Sequence, residues 1–251
     1  MKNQNLYNYI LGIADNSLIL GQRLGELCGH GPNLETDIAL TNISLDLFGQ
    51  TRTYFQYLAS LSGEGKTEDD IAFLRTEREY KNVLLVEQPN THFGFVIARQ
   101  FLFDVYHLML LEQLQNSADE TLVAIANKGI KEVSYHTRFS SDWVRRLGDG
   151  TEESNAKMQE AIDTLWRFTN EIFQLTEVDS EMIEKGIGVD VSKLKDAYYT
   201  KVSEVLKEAT LEIPESKYFT KGGKEGIHSE HMGYILADLQ YMQRSYPGMK
   251  W

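Results

Sequence analysis

The sequence predicts an all-α protein, a four-helix bundle with additional helices in its C-terminal part. Three observations carry that expectation. Apolar residues recur at three- and four-residue steps along four long stretches, the mark of amphipathic helices. Only four prolines fall in 251 residues, so long helices are not forced to break. The apolar content, 42%, is that of an ordinary globular protein and suggests no rich β architecture. At this length one core suffices, and a single domain spanning residues 1–251 is expected.

The first helix is expected from Leu6 to Leu27, where Leu6, Tyr9, Ile10, Ile13, Leu20, Leu24 and Leu27 keep the helical step. Gly29, Gly31 and Pro32 stop it. The second runs from about Glu35 to Leu61 on Ile38, Leu45, Phe48, Phe55 and Leu58, and the SGEG sequence closes it. These two read as a helical hairpin. Thr67 to Tyr80 is charged but anchored by Ile71, Phe73 and Leu74, and reads as a shorter surface helix; Asn82 to Asn90 reads as extended or irregular.

The third long helix is expected from about Thr91 to Leu114, through Phe93, Val96, Ile97, Phe101, Val105, Leu108 and Leu111. The fourth runs from about Asp119 to Leu147, with Ser117 or Asp119 as its cap. Two further helices, Glu152 to Leu175 and Ser192 to Glu208, flank a GIGVD loop. The tail from Thr220 is expected to start as a flexible segment, and Met232, Ile235, Leu236, Leu239 and Met242 then restore helical spacing.

Charge narrows the function classes. With 25 basic and 37 acidic residues the formal charge is −12, which repels a phosphate backbone or an anionic membrane. The first residues lack the unbroken apolar core of a signal peptide, and no run of about eighteen apolar residues occurs, so a cytoplasmic protein is expected. Cys28 is the one cysteine, which excludes an intrachain disulfide and multi-cysteine metal sites; it reads as a small apolar filler near a helix end.

Helical bundles commonly hold two metal ions with a carboxylate from each of two helices and a Glu-x-x-His pair from each of the others. Residues three apart on a helix project from nearly one face, so both can reach one ion. Here the acidic-x-x-His search returns Asp104 with His107, and Glu225 with His228 directly after two glycines. On the second helix the inward positions read Leu45, Leu47, Phe48, Gln50 and Thr51, with Asp46 the one acid. Glu132 and His136 lie four apart on the fourth helix. The set is incomplete.

Each candidate also has a purely structural reading. Asp104, inside an apolar run, needs a partner such as Arg99, Tyr106 or a histidine from elsewhere if it is buried. His107 and His136 read as hydrogen-bonded core or boundary residues, and His228 with His231 as a solvated turn before a helix. Arg145 and Arg146 sit where cations meet a helix C-terminus, with phosphate or CoA binding as the alternative. No Gly-x-Ser-x-Gly elbow, Walker loop or Gly-x-Gly-x-x-Gly after a strand is present, which removes the starting points for serine hydrolase, nucleotide triphosphatase and Rossmann chemistry.

Three segments, LILGQRLGELCGHGPNLETDIALTNISLDLFGQTR, KGIKEVSYHTRFSSDWVRRLGDGTEES and GIHSEHMGYILADLQYMQRSYPGMKW, together resemble the C-subunit family of phenylacetyl-CoA epoxidases, over Leu6 to Trp251. The resemblance implies a ferritin-like fold and a tight complex with a homologous A subunit that carries a di-iron centre. It also implies small and reductase subunits, electrons from NADPH, and insertion of oxygen as an epoxide into the ring of phenylacetyl-CoA.

Aligning the A subunit's ligand pattern on this chain places its six metal positions at Ser17, Leu47, Gln50, Asp104, Val133 and His136, of which only Asp104 and His136 keep a ligand type. A slip of one turn would bring Glu132 to the place of Val133, and the second helix would still lack its acid. In the stated register, Asp104, Gln50 and His136 are expected to form a metal-free polar network in the old site, with Leu47 and Val133 filling volume. The resulting expectation is a structural, non-catalytic subunit without metal or cofactor of its own. The alternative is a metalloenzyme using Asp104, His107, Glu132 and His136. Interface candidates are the Tyr54, Phe55 and Tyr57 cluster, Tyr198 with Tyr199, and the SYPGMKW terminus ending in Trp251.

Overall fold

The computed structural model describes residues 4–63, 65–215 and 218–249. They form α1 (Gln4–Gly25), α2 (Leu34–Ser62), α3 (Glu68–Phe73), α4 (Phe93–Leu114), α5 (Glu120–Gly148), α6 (Glu152–Trp166), α7 (Glu177–Glu184), α8 (Lys195–Glu208) and α9 (Glu230–Ser245). No strand occurs among the described residues, so the protein is all-α as expected. The long helices start and stop within about two residues of their expected limits, because each limit carries local chemistry. Asn33 caps α2 by accepting from the Thr36 amide, and Asp119 caps α5 by accepting from Thr121 and Leu122.

Three expected elements differ. The stretch from Thr67 to Tyr80 is two pieces, because two N-terminal caps fall within ten residues. Thr67 and Asp70 cap α3 reciprocally, and Thr76 donates backbone and hydroxyl hydrogen bonds to Glu79 at 2.7 Å to start a 3-10 turn. The helix expected over Glu152 to Leu175 ends at Trp166, and a further reciprocal cap, Thr176 with Asp179, starts α7. The tail from Thr220 is packed where flexibility was expected. A Cβ on Gly223 would come within 2.1 Å of the Asn82 carbonyl oxygen, and Gly226 takes φ +80 beside the Arg78 carbonyl. Only glycine fits so close an approach.

The chain divides into two compact units, Met1–Glu87 with Gly222–Trp251, and Gln88–Lys221. In the first, α1 and α2 pair as a helical hairpin, locked by the Ser44 hydroxyl donating to the Gly21 carbonyl at 2.7 Å. α9 returns from the far end of the sequence to pack on α1 and α3. In α2, Leu47 and Gln50 are buried, whereas Leu45, expected to face inward, is 60% exposed. Leu34 and Ile38 are exposed with it, an outward apolar line at helical spacing.

In the second unit α4 pairs with α5, and α6 and α8 pack against them. α4 is by length and composition apolar enough to cross a membrane, but 89% of its most apolar window is buried inside the protein. It is the core helix of its unit. That burial removes Arg99, Gln100, Asp104 and His107 from water along with their apolar neighbours.

Candidate functional site

The chemistry-bearing residues of the second unit gather on one face of α4. Gln100, Asp104 and His107 recur at four- and three-residue steps, so their side chains line up, and none is more than 1% exposed. α5 presents His136 and Ser140, four apart and fully buried. The Ser140 hydroxyl donates to Asp104 Oδ2 at 2.8 Å, and Gln100 Nε2 donates to Oδ1 at 2.7 Å. The Thr137 hydroxyl reaches the Asp104 carbonyl at 3.3 Å, tying the two helices at the same level.

These partners correct the expectation that Arg99, Tyr106 or a histidine would pair with Asp104. Arg99 instead donates to the Gln88 carbonyl and, at 2.7 Å, to Asn90 Oδ1, where it anchors the irregular segment before α4. With no cation among its partners, burial pushes the Asp104 carboxyl up to about 8, against the pull of the Ser140 and Gln100 hydrogen bonds. Burial, reinforced by the neighbouring His136, pushes His107 down to about 3. Its ring packs 5.2 Å from that of Phe103, and neither ring nitrogen has a hydrogen-bond partner. It is therefore not the hydrogen-bonded core histidine expected. At neutral pH Asp104 and His107 are both uncharged. Val133 lies on the buried side of α5, fully enclosed.

In the first unit Ser17, Leu47 and Gln50 are all buried, and the Ser17 hydroxyl has no hydrogen-bond partner. The Leu47 Cβ would lie 3.4 Å from a Cβ on Gly21, at the crossing of α1 and α2. None of the three carries an anion. The charged interior of this unit lies elsewhere, in a pair that sequence reasoning missed. Arg75 binds Asp15 through two hydrogen bonds, 2.5 and 2.8 Å, and its guanidinium lies 3.9 Å from the centre of the Tyr80 ring. Burial opposes the charge on Arg75, and the Asp15 carboxylate outweighs it and leaves Arg75 raised. Asp15 also accepts from the Lys81 amide, and Gln240 of α9 donates to the Arg75 carbonyl and the Tyr80 hydroxyl. Sixty residues separate Asp15 from Arg75, so no local pattern announces the pair.

The family model of the phenylacetic acid catabolic proteins matches residues 1–251. The chain belongs to this phenylacetic acid catabolic protein family. It is 51% identical over 243 residues to the C subunit of the 1,2-phenylacetyl-CoA epoxidase of Escherichia coli (strain K12), an alignment covering 97% of this chain and 98% of that one. A ferritin-like fold fits the family.

The other candidates in this phenylacetic acid catabolic protein fall in different places. Among the described residues no three His, Cys, Asp or Glu side chains are grouped so as to hold a metal ion, so Asp104, His107, Glu132 and His136 do not converge as a ligand set. His228 is not in a solvated turn: its side chain is fully buried, with Nδ1 3.6 Å from Glu87 Oε1 and Nε2 3.1 Å from the Tyr80 carbonyl oxygen. Glu225 lies in a 3-10 turn and does not join it. Cys28 is exposed, not a core filler.

Arg145 and Arg146 do lie in the last turn of α5, where Arg145 pairs with Glu208 at 2.5 Å and Asp142 at 3.2 Å. Tyr54, Phe55 and Tyr198, named as interface candidates, are at most 1% exposed and belong to the core; Tyr57 and Tyr199 are half-buried. In the terminus Tyr246 and Met249 are exposed, and Trp251 lies outside the described residues. An open groove of about 980 Å³ along α8, lined by Tyr199, Ser203, Glu204, Lys207 and Ile213, contains the interface candidate Tyr199 but none of the six predicted metal positions.

Proposed function

We propose that this chain is the C-type subunit of a 1,2-phenylacetyl-CoA epoxidase, a structural subunit that binds and stabilises a homologous ferritin-like catalytic subunit. In this reading residues 1–251 form one ferritin-like domain in a cytoplasmic hetero-oligomer. The di-iron centre belongs to the partner, and NADPH is used by an associated reductase. The observation that carries the reading is the 51% identity, over nearly the full length of both chains, to the C subunit of such an epoxidase. Identity at that level, without large insertions at either end, argues for the same place in the same kind of assembly.

The side chains support the non-catalytic part. Two iron ions of combined charge near +4 need several anionic oxygens in their first coordination sphere. Ser17, Leu47, Gln50 and Val133 supply none, and the Asp104 carboxyl is raised to about 8 with both oxygens already accepting from Ser140 and Gln100. These residues do not fit a di-iron centre. Exposed apolar side chains on α2 (Leu34, Ile38, Leu45) and α9 (Tyr234, Tyr241) suit a protein that is covered by partners.

The test is to express the chain with and without the product of an adjacent ferritin-like open reading frame, then measure bound iron and particle mass. The expected result is no stoichiometric iron in the chain alone and a stable hetero-oligomer on co-expression. Two irons per isolated chain, or no complex, would sink the proposal.

A further inference from the structure

The outward face of α5 is unlike the rest of this acidic protein. Lys128, Lys131, Arg138 and Arg146 stand on it, all exposed, and none makes an ion pair among the described residues. Asp142, on the same arc, is engaged by Arg145 at 3.2 Å. Between these cations runs a ladder of aromatic rings four residues apart: Tyr135 to Phe139 at 6.1 Å, and Phe139 to Trp143 at 6.5 Å. Trp143 is steadied from beneath by Phe93 of α4, edge to face at 4.9 Å. Arg138 lies 5.8 Å from the Tyr135 ring centre and Arg146 5.5 Å from that of Trp143. Tyr135 is 39% exposed, and Phe139 and Trp143 are half-buried.

Each feature has an ordinary explanation alone, since exposed lysines solubilise and half-buried rings finish a core. Together they match the composition of interface centres, where aromatic residues and Arg are enriched and carry most of the binding energy. The charge decides the occupant. Four unpaired cations on one face of a chain of net charge −12 complement carboxylates, and that same net charge disfavours a nucleic-acid backbone. A small anionic ligand needs a concave site to bury most of its surface, and this face is an open helix surface. From Lys128 to Arg146 it extends about 27 Å at 1.5 Å per residue, the scale of a protein interface.

We infer that the Lys128–Arg146 face of α5 is a docking surface for an acidic face of a protein partner, the ferritin-like catalytic subunit. This rests on the reading of the chain as a partner subunit. Arg138 and Arg146 place guanidinium forks against partner carboxylates, and Tyr135, Phe139 and Trp143 supply the apolar area between them.

The experiment measures the dissociation constant of the full-length chain with the separately purified product of the adjacent ferritin-like open reading frame, at about 50 and about 300 mM salt. Wild type is compared with Arg138→Glu/Arg146→Glu, with Lys131→Glu/Arg138→Glu, and with Lys221→Glu as a control on an exposed cation outside α2, α5 and α9. Thermal unfolding of each variant reports its fold. Each double reversal is expected to weaken binding about thirtyfold or more, the control to leave it within about twofold, and wild-type binding to weaken with salt. Folded reversal variants that bind as tightly as wild type would overturn the inference and leave the subunit reading intact. No wild-type complex would overturn both. A self-associating wild type whose dimer alone is lost in the reversals would overturn the choice of partner.

Discussion

Asp104 and His107, one turn apart on α4, are held neutral by the same burial, and their effects on stability have opposite signs. Between about pH 4 and 8 the unfolded chain has lost the Asp104 proton and the native protein keeps it, so the native state loses stability as pH rises. Between about pH 3 and 6.5 the unfolded chain has gained a proton on His107 and the native protein has not, so stability rises with pH. Between about pH 4 and 6.5 the two slopes oppose each other; above that range the His107 slope is gone and the Asp104 slope acts in the same direction as that of the raised His228.

Asp104→Asn is therefore expected to lessen the decline between pH 6.5 and 8, leaving the part due to His228, and to gain on the order of 1–3 kcal/mol over wild type at pH 8 in urea unfolding. The Gln100 Oε1, which has no hydrogen-bond partner, can turn to accept from the new amide. A variant with the wild-type slope would show Asp104 to be ionised in the native state. The buried Asp15–Arg75 pair obeys a different rule. Arg75→Ala leaves a carboxylate with no counter-charge and is expected to cost about 3–5 kcal/mol in the same assay. None of this electrostatic character was legible locally: Asp104 was visible as a buried acid, but its partners sit on another helix or one turn away and compete with several plausible neighbours.

At the scale of elements, the approach to α9 is held by the buried contact of His228 with Glu87 and the Tyr80 carbonyl, in addition to the Gln240 hydrogen bonds further along the helix. Burial alone would lower the histidine, and the Glu87 carboxylate and Tyr80 carbonyl outweigh it and leave His228 raised. A raised histidine stabilises fully below its unfolded value near 6.5, and the contribution is lost as pH rises through the folded value. Hydrogen exchange of the α9 amides is thus expected to accelerate above neutral pH more than at other helices. His228→Ala is expected to bring that fast exchange at every pH; unchanged α9 protection in the variant would show that the helix is held by its apolar face alone.

The helices themselves were well anticipated, since capping residues and apolar spacing are local properties of the chain. Two of the misses share a cause, while the packed tail depends on close glycine approaches to distant backbone. Thr76–Glu79 and Thr176–Asp179 are strong local start signals that a smoothed apolar period conceals, and α7 was overlooked for that reason.

At the scale of the whole molecule, membership of the phenylacetic acid catabolic protein family is what no inspection of side chains could supply. If residues 1–251 form one domain, calorimetry of the isolated chain is expected to give one transition whose calorimetric and van't Hoff enthalpies agree. Two resolved transitions would instead assign separate stabilities to Met1–Glu87 with Gly222–Trp251 and to Gln88–Lys221. The same scale accounts for the exposed line of Leu34, Ile38 and Leu45: the period predicts that Leu45 joins a core, and within this chain it does not.

Helix content, the boundaries of the long helices and the shortage of carboxylates on α2 were determined by the sequence alone, because caps, periodicity and residue type act over a few residues. Which apolar stripe faces inward, which acid meets which base across sixty residues, and whether a carboxyl stays protonated were decided only by tertiary structure. Those properties depend on burial and on the distance between groups far apart in the chain, and neither quantity exists until the helices have packed.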